Sequence, residues 1–425
     1  MTLDDAESEF SSLATHKAVS AHKPLRLAAL FSHPIQYFAP LFRALAARPE
    51  VDLTVYYCSR QGVDEYKDAE FGTNVKWDTP LLDGYKYRFL TNWRHTRTVG
   101  GFLSLVNPSI VRELGRERYD AVLIHGYSHL TDWLAILAAR LVGTAILYHS
   151  ESSLTYDSRV RRPFHVQFIK PRLLRFLFRH VARFLAIGTL NRKFYLHYGA
   201  KPEYIYHVPY AVDNEYFASK AGEFRLQRNV IRTTMGINTS DIVFLFAAKM
   251  TPKKAPLELL QAYGQMGQMQ GKTLIMVGDG RIRSQAEAYV RENELSNVHF
   301  VGFVNQSELP RYYAISDVFI RPDGLYVGDW GLTVNEAMAC GLAIISTDAI
   351  GATVDLVKDG ENGMIVKYGD LNQLSRAMQW MVSNPGICRE MGTRSFEIIS
   401  GWSYKQCAEG VVQALNSLKA SEKES

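Results

Sequence analysis

The chain has 425 residues, 47% of them hydrophobic and 21% charged, with a formal net charge of +5. That length holds two domains, each with its own core; the composition is that of an ordinary globular protein, and so mild a charge does not by its sum mark a nucleic-acid binder. Four scattered cysteines (Cys58, Cys340, Cys388, Cys407) show no metal-like pair spacing and point to reduced thiols in a cytosolic compartment.

Residues 1–23 are acidic, then polar, and lack the apolar core of a signal peptide, so a disordered tail is expected there. No apolar run approaches the ~18 residues of a membrane-crossing helix. From Leu25 short apolar runs alternate with helical segments. RLAALFS, VDLTVYYC, YDAVLIHG, AILYHS and RFLAIGT read as strands of one parallel sheet, because strands covered on both faces are continuously apolar. Tyr37–Ala47 and Asp132–Leu141 carry helical spacing between them. His33 precedes Pro34, is biased to an extended backbone, and with Gln36 is expected to face a cleft. His125 ends the strand YDAVLIHG, with His129 and His149 as alternatives nearby.

Between Asp157 and Glu203 there is no acidic residue and there are eleven Arg or Lys. On a helical wheel Arg172, Arg175, Arg179 and Arg183 share one face, Leu174, Leu177 and Val181 the opposite one, and Phe176 falls among the arginines. A packed helix with a basic outer face accounts for the charges. An aromatic between them favours contact with an anionic membrane surface through Arg172, Arg175, Phe176 and Arg179. No nucleic-acid-binding motif accompanies the stripe.

Residues 213–240 are charged and polar and fit a linker. A second strand series follows: DIVFLFAAK, KTLIMVGDG, NVHFVGF, DVFIRP, LAIISTD and GMIVKY. Lys249 ends the first of these and Lys254 lies in a Pro-containing turn before PLELLQAY, where two ammonium groups suit a diphosphate. Gly278 and Gly280 follow the second strand and permit close backbone approach. In VFIRPDGLYVGDWGLTVNEAMACGLAIIST (residues 318–347) a strand runs through a Gly- and Asp-rich loop into a helix from Gly331 to Cys340. Backbone N–H groups and the positive end of a helix dipole converge on such a loop, which makes it a phosphate site. Glu336 lies about one and a half turns into that helix. The last segment, Tyr404–Leu418, has helical spacing. The domains expected are therefore a tail to residue 23, a first α/β domain over 24–212, a linker over 213–240, a second α/β domain over 241–402 and a terminal helix over 403–425.

WGLTVNEAMACGLAIIS resembles the signature of the family 4 glycosyltransferases, and the similarity runs from about Arg26 to Trp402. The resemblance implies an α/β chain of GT-B fold, two Rossmann-like doubly wound domains facing a central cleft, with the terminal helix crossing back onto the first domain. It implies that Lys249 and Lys254 contact the donor diphosphate and that Gly278 and Gly280 line the cleft. It puts Val304 against the nucleobase, the N–H groups of Gly331 and Leu332 on the diphosphate, Glu336 on the ribose, and His125 at the donor sugar. Family members carry a glutamate at the position of Gly328; Asp329 beside it, or Asp323, is the candidate to take over that role. No cofactor and no dedicated metal site is implied.

The expected function is retaining transfer of a hexose from a UDP- or GDP-sugar to a hydroxyl of a glycan or lipid-linked acceptor, in surface polysaccharide assembly. The expected location is cytoplasmic, peripheral on the inner face of the cell membrane. A nucleotide-sugar-binding scaffold without transfer activity is the alternative that Gly328 favours; an epimerase or phosphorylase of the same fold is a third.

Overall fold

Continuous β-branched and aromatic runs become strands with both faces covered, and in this chain they build two all-parallel sheets. The computed structural model describes residues 23–422 apart from 69, 71, 73, 97–98, 155–163 and 324–329. The first sheet contains β1 (Leu25–Phe31), β2 (Val51–Tyr57), β5 (Lys86–Phe89), β6 (Ala121–His125), β7 (Ala145–His149), β8 (Arg183–Ala186) and β9 (Ile205–His207), in the order β5-β2-β1-β6-β7-β8-β9. The second contains β10 (Ile242–Ala247), β11 (Lys272–Val277), β12 (Val298–Gly302), β13 (Val318–Arg321), β14 (Ala343–Thr347) and β15 (Gly363–Val366), in the order β12-β11-β10-β13-β14-β15. Every residue of β10, β11, β13 and β14 is buried. A short antiparallel pair, β3 (Tyr66–Lys67) with β4 (Asn74–Val75), stands apart from both sheets.

In each sheet the strand order reverses direction once, between β1 and β6 in the first and between β10 and β13 in the second. Such switch points open a crevice at the carboxyl ends of the strands, where α/β sheets take their ligands. Ser32, His33 and Gly126 follow the strands at the first crevice; Ala248, Lys249 and Pro322 follow them at the second.

One apolar cluster runs through both domains, from Leu27 and Phe42 by way of Ala211 and Phe217 to Tyr313, Val334 and Ile344. The last helix, Tyr404–Glu422, adds Val411, Ala414 and Leu415 to that cluster and packs on the helix Ala39–Ala46. It is fixed to the first domain by Tyr404, whose hydroxyl donates to the Tyr37 carbonyl (2.9 Å), and by Arg183, which donates to the Ser417 hydroxyl (2.7 Å) and carbonyl (2.8 Å).

Two readings change. Residues 213–240 are no linker: they form helices Asn214–Arg225 and Arg228–Thr234, which pack on the second domain. Buried Phe217, Ala221 and Ile231 supply an apolar stripe hidden among charges, and the Asp213 carboxylate caps the first helix at Tyr216 N (3.0 Å). Arg183 leaves the basic face, since it lies in β8 with 6% exposure and serves the terminal helix. Pro171 lies inside the helix Phe164–Phe178.

Candidate active site between the domains

Lys249 follows β10 directly, and Lys253 and Lys254 occupy the tight turn Pro252–Lys254. The conformation of this loop depends on two glycines at the end of β11. Gly278 (φ +128°) and Gly280 (φ +153°) lie so near the Ala248 and Met250 carbonyls that a Cβ on either would overlap them. These glycines make their close approach to the lysine loop itself.

All three ammonium groups meet carboxylates. Lys249 Nζ lies 2.9 and 3.1 Å from the Asp68 oxygens and 3.1 Å from Glu70 Oε2, so two acidic residues of the first domain reach across to it. Lys253 pairs with the other Glu70 oxygen. Against the upward pull of burial, the hydrogen bonds from Lys253 and Lys249 hold the Glu70 carboxyl below its ordinary value. Lys254 Nζ lies 3.3 Å from Asp323 Oδ2, and Arg321 takes Asp323 Oδ1. Asp323 is 3% exposed and committed to these two cations, so it does not stand free to replace a glutamate at 328. Gly328 and Asp329 lie outside the described residues.

The helix Leu332–Ala339 begins after Gly331 (φ +89°) with no capping side chain and no acidic residue in its first turn. Thr333 in that turn accepts from Arg321 (2.6 Å). Four residues into the helix, Glu336 is fully buried. Its Oε1 accepts from Tyr37 of the first domain and its Oε2 from Tyr313 of the second, each at 2.8 Å. Burial lifts the carboxyl to about 7, and the two tyrosine hydrogen bonds pull it only partly back. The carboxylate expected to be available to a ribose is therefore held by two hydroxyls, and a ribose would have to take the place of Tyr37. Even so, Glu336 and Tyr37 border a cavity of about 120 Å³. Gln36 and Trp77 line it from the first domain, and Lys249, Gly278, Phe303, Val304 and Thr333 from the second. Val304 and Gln36 thus meet at one opening with Glu336.

On the first domain, His125 at the end of β6 places Nδ1 2.8 Å from His149 Nδ1 at the end of β7 and stacks on Phe31 (5.0 Å, 12°). Burial, with His33 and His129 close by, lowers His125 to about 4; burial and His129 do the same to His33. His149 is lowered further, by burial and then His125. These rings are neutral at pH 7, so His125 acts as a hydrogen-bonding group rather than a cation. His33 Nδ1 pairs with the Ser32 hydroxyl (2.9 Å). Among the described residues no group of three His, Cys, Asp or Glu is placed to hold a metal ion.

With this geometry in view, the comparisons are consistent. The model for glycosyl transferases group 1 matches residues 227–397. A UDP-Gal:alpha-D-GlcNAc-diphosphoundecaprenol alpha-1,3-galactosyltransferase of Escherichia coli is 23% identical over 74% of this chain and 76% of its own. A D-inositol 3-phosphate glycosyltransferase of Streptomyces bingchenggensis is 27% identical over 46% of this chain, and only 44% of that relative's length is spanned. HepE from Anabaena, solved in complex with UDP, superposes with a TM-score of 0.69 at 17% identity over 93% of this chain and 100% of its own. Residues 227–397 thus resemble the group 1 glycosyl transferases. Its two facing α/β domains are the GT-B fold.

In this GT-B chain the basic helix Phe164–Phe178 exposes Arg172, Arg175 and Phe176 and buries Leu174 and Leu177. Arg179 follows it, also exposed. Phe168, Ile169 and Leu173 are exposed on the same helix. The helix Leu130–Val142, whose inner residues share its core cluster, exposes Leu137 and Leu141. Among the described residues no helix is long and apolar enough to cross a membrane.

Sequence reasoning missed Asp68, Glu70, Trp77, Tyr37 and Tyr313. Tyr37 was within reach, three residues beyond Pro34 in HPIQY, whereas a carboxylate pair in a loop carries no local sign of the partner it meets across a cleft.

The Glu336 carboxyl has a definite pH signature. Its value of about 7 exceeds the ordinary 4.5, so between them the folded chain keeps a proton that the unfolded chain releases. Its contribution to stability therefore falls as pH rises through that window. The buried neutral histidines act oppositely, destabilising as pH falls below their ordinary value of 6.5. Glu336→Gln isolates the carboxyl: urea unfolding should show the variant gaining on wild type as pH rises from about 5 to about 8. A difference that does not change with pH would contradict the buried, raised carboxyl.

Proposed function

We propose that this protein is a metal-independent, retaining hexosyltransferase that binds a nucleotide-sugar on the second domain and transfers its sugar to a hydroxyl held by the first. The observation that supports this most is the group of three ammonium groups at the β10 crevice, beside the uncapped start of the helix Leu332–Ala339. In the absence of a diphosphate, Asp68, Glu70 and Asp323 supply the negative charge there. The nucleoside then occupies the cavity at Val304, Trp77 and Glu336.

In this reading the bond between the anomeric carbon and the phosphate oxygen breaks while the acceptor oxygen bonds on the same face. The departing phosphate takes the acceptor proton, so no side-chain base is required. Lys249, Lys254 and the backbone N–H groups at Gly331 and Leu332 stabilise the diphosphate as its charge grows, and positioning supplies the rest. The Escherichia coli relative is named for a UDP-sugar donor and a diphosphoundecaprenol-linked acceptor, and HepE was solved with UDP. These names favour a UDP-sugar and a lipid-linked acceptor in surface glycan assembly. The arginines and exposed apolar side chains of the helix Phe164–Phe178 would then hold the protein on the anionic inner face of the cell membrane. Gly328 supports a second reading, a nucleotide-sugar-binding scaffold, which would bind donor without turning it over.

Lys254→Ala should lower sugar transfer by about 100-fold with the fold kept, because Arg321 still holds Asp323. Unchanged turnover in a nucleotide-release assay would remove Lys254 from the diphosphate site. Replacing Arg172, Arg175 and Arg179 together by Glu should abolish sedimentation with anionic liposomes. Sedimentation equal to wild type would assign membrane contact elsewhere.

A further inference from the structure

A second basic concavity lies at the opposite end of the second sheet. It is about 740 Å³ in volume, and its floor is Ile242 at the start of β10 and Asp317 just before β13. The cleft groups Lys249 and Pro322 follow the far ends of the same two strands, on the order of 20 Å away by strand rise. Its lining carries four guanidiniums, Arg225, Arg228, Arg232 and Arg389, against two carboxylates, Asp241 and Asp317.

Those carboxylates are already engaged. Asp317 accepts from Arg228 through one oxygen and from Arg232 through the other (2.5 and 2.7 Å), and Asp241 accepts from the Thr273 hydroxyl (2.7 Å). Arg232 is structural, since its remaining donors go to the Ile315, Thr239 and Asp241 carbonyls. Arg228 is committed likewise, to the Ala314 and Ser316 carbonyls and to Asp317. Among the described residues Arg225 donates only to the Cys340 carbonyl. Arg389, in the first turn of the helix Pro385–Ile399, makes no side-chain hydrogen bond or ion pair among the described residues. Burial lowers the values of both Arg225 and Arg232, the mark of positive charge placed where solvent is short.

We propose that this pocket is a second anion site, separate from the donor cleft, that takes a phosphate group. The guanidiniums of Arg225 and Arg389 line it, and such forks recognise phosphate oxygens in pairs, while Arg228 adds its charge from the wall. Thr239 and Thr393 add hydroxyls at its wall. The volume exceeds that of a bare phosphate, and Ala218, Ala339 and Phe396 offer apolar wall to the organic part of a phosphate ester.

The test uses the full chain and inorganic phosphate, with sodium chloride at equal ionic strength as the control. Phosphate should raise the unfolding temperature of wild type and of Lys254→Ala alike, and chloride should not. Arg225→Gln with Arg389→Gln should lose the shift while binding UDP as wild type does. An equal shift in that double variant, or with chloride, would overturn the proposal; a shift lost in Lys254→Ala would move the phosphate to the cleft and overturn it too. Should the double variant unfold, Arg389→Gln alone, at an exposed rim position, must weaken phosphate binding several-fold in calorimetry, and unchanged affinity overturns the site. Loss of UDP binding by wild type itself would count against the donor reading and leave this assay intact.

Discussion

Positive charge gathered at the β10 crevice needs a counter-charge, and this requirement ties the two domains together. Three lysines within six residues cannot face each other across a low-dielectric gap without anions between them. Asp68 and Glu70, carried over from the first domain, and Asp323 from the second meet that need here. The loop bearing β3 and β4 continues the crossing, with Asp78 holding Ser307 and the Lys76 carbonyl accepting from Asn305 (2.8 Å). In the proposed function a diphosphate would bring the same charge to the same cations, which would make the two carboxylates and the phosphates alternatives for Lys249.

A parallel exchange occurs one helix away. Glu336 would be costly to bury alone; the hydroxyls of Tyr37 and Tyr313 satisfy both its oxygens, one from each domain. Tyr37 is itself fixed through its carbonyl by Tyr404 of the terminal helix. The second domain, the first domain and the helix that returns between them thus meet at one buried carboxylate. In the proposed function, opening the cleft for a nucleotide would break a neutralised cation contact and a tyrosine contact, and ribose hydroxyls and phosphates would replace both in kind.

Much of the fold was legible because strands buried on both faces are written as uninterrupted apolar runs. All six strands of the second sheet, and the five inner strands of the first, are readable from β-branched and aromatic residues alone. The edge strands β5 and β9 were not, since KYRF in β5 is mostly exposed and patterned like a loop. Helices Asn214–Arg225 and Arg228–Thr234 were hidden by their charges: Arg228 and Arg232 are drawn inward by Asp317, a partner more than eighty residues away. The same holds at the site. Lys249, Lys254 and the helix after Gly331 are marked by local strand-end grammar, but Tyr37 lies 299 residues from Glu336 and Asp68 181 from Lys249. Local pattern carries no information about such pairs; only the closed fold brings them together.

The competition at Lys249 is open to one direct measurement: calorimetric titration of UDP into wild type and into a chain carrying Asp68→Asn and Glu70→Gln. Both contacts are partly solvent-screened, so each is worth about 1 kcal/mol or less. Removing the resident carboxylates should make UDP bind several-fold more tightly, with the gain shrinking as salt rises. Affinity that is unchanged, or weaker, would mean that the carboxylates do not occupy the phosphate position, and the account of the cleft would fail.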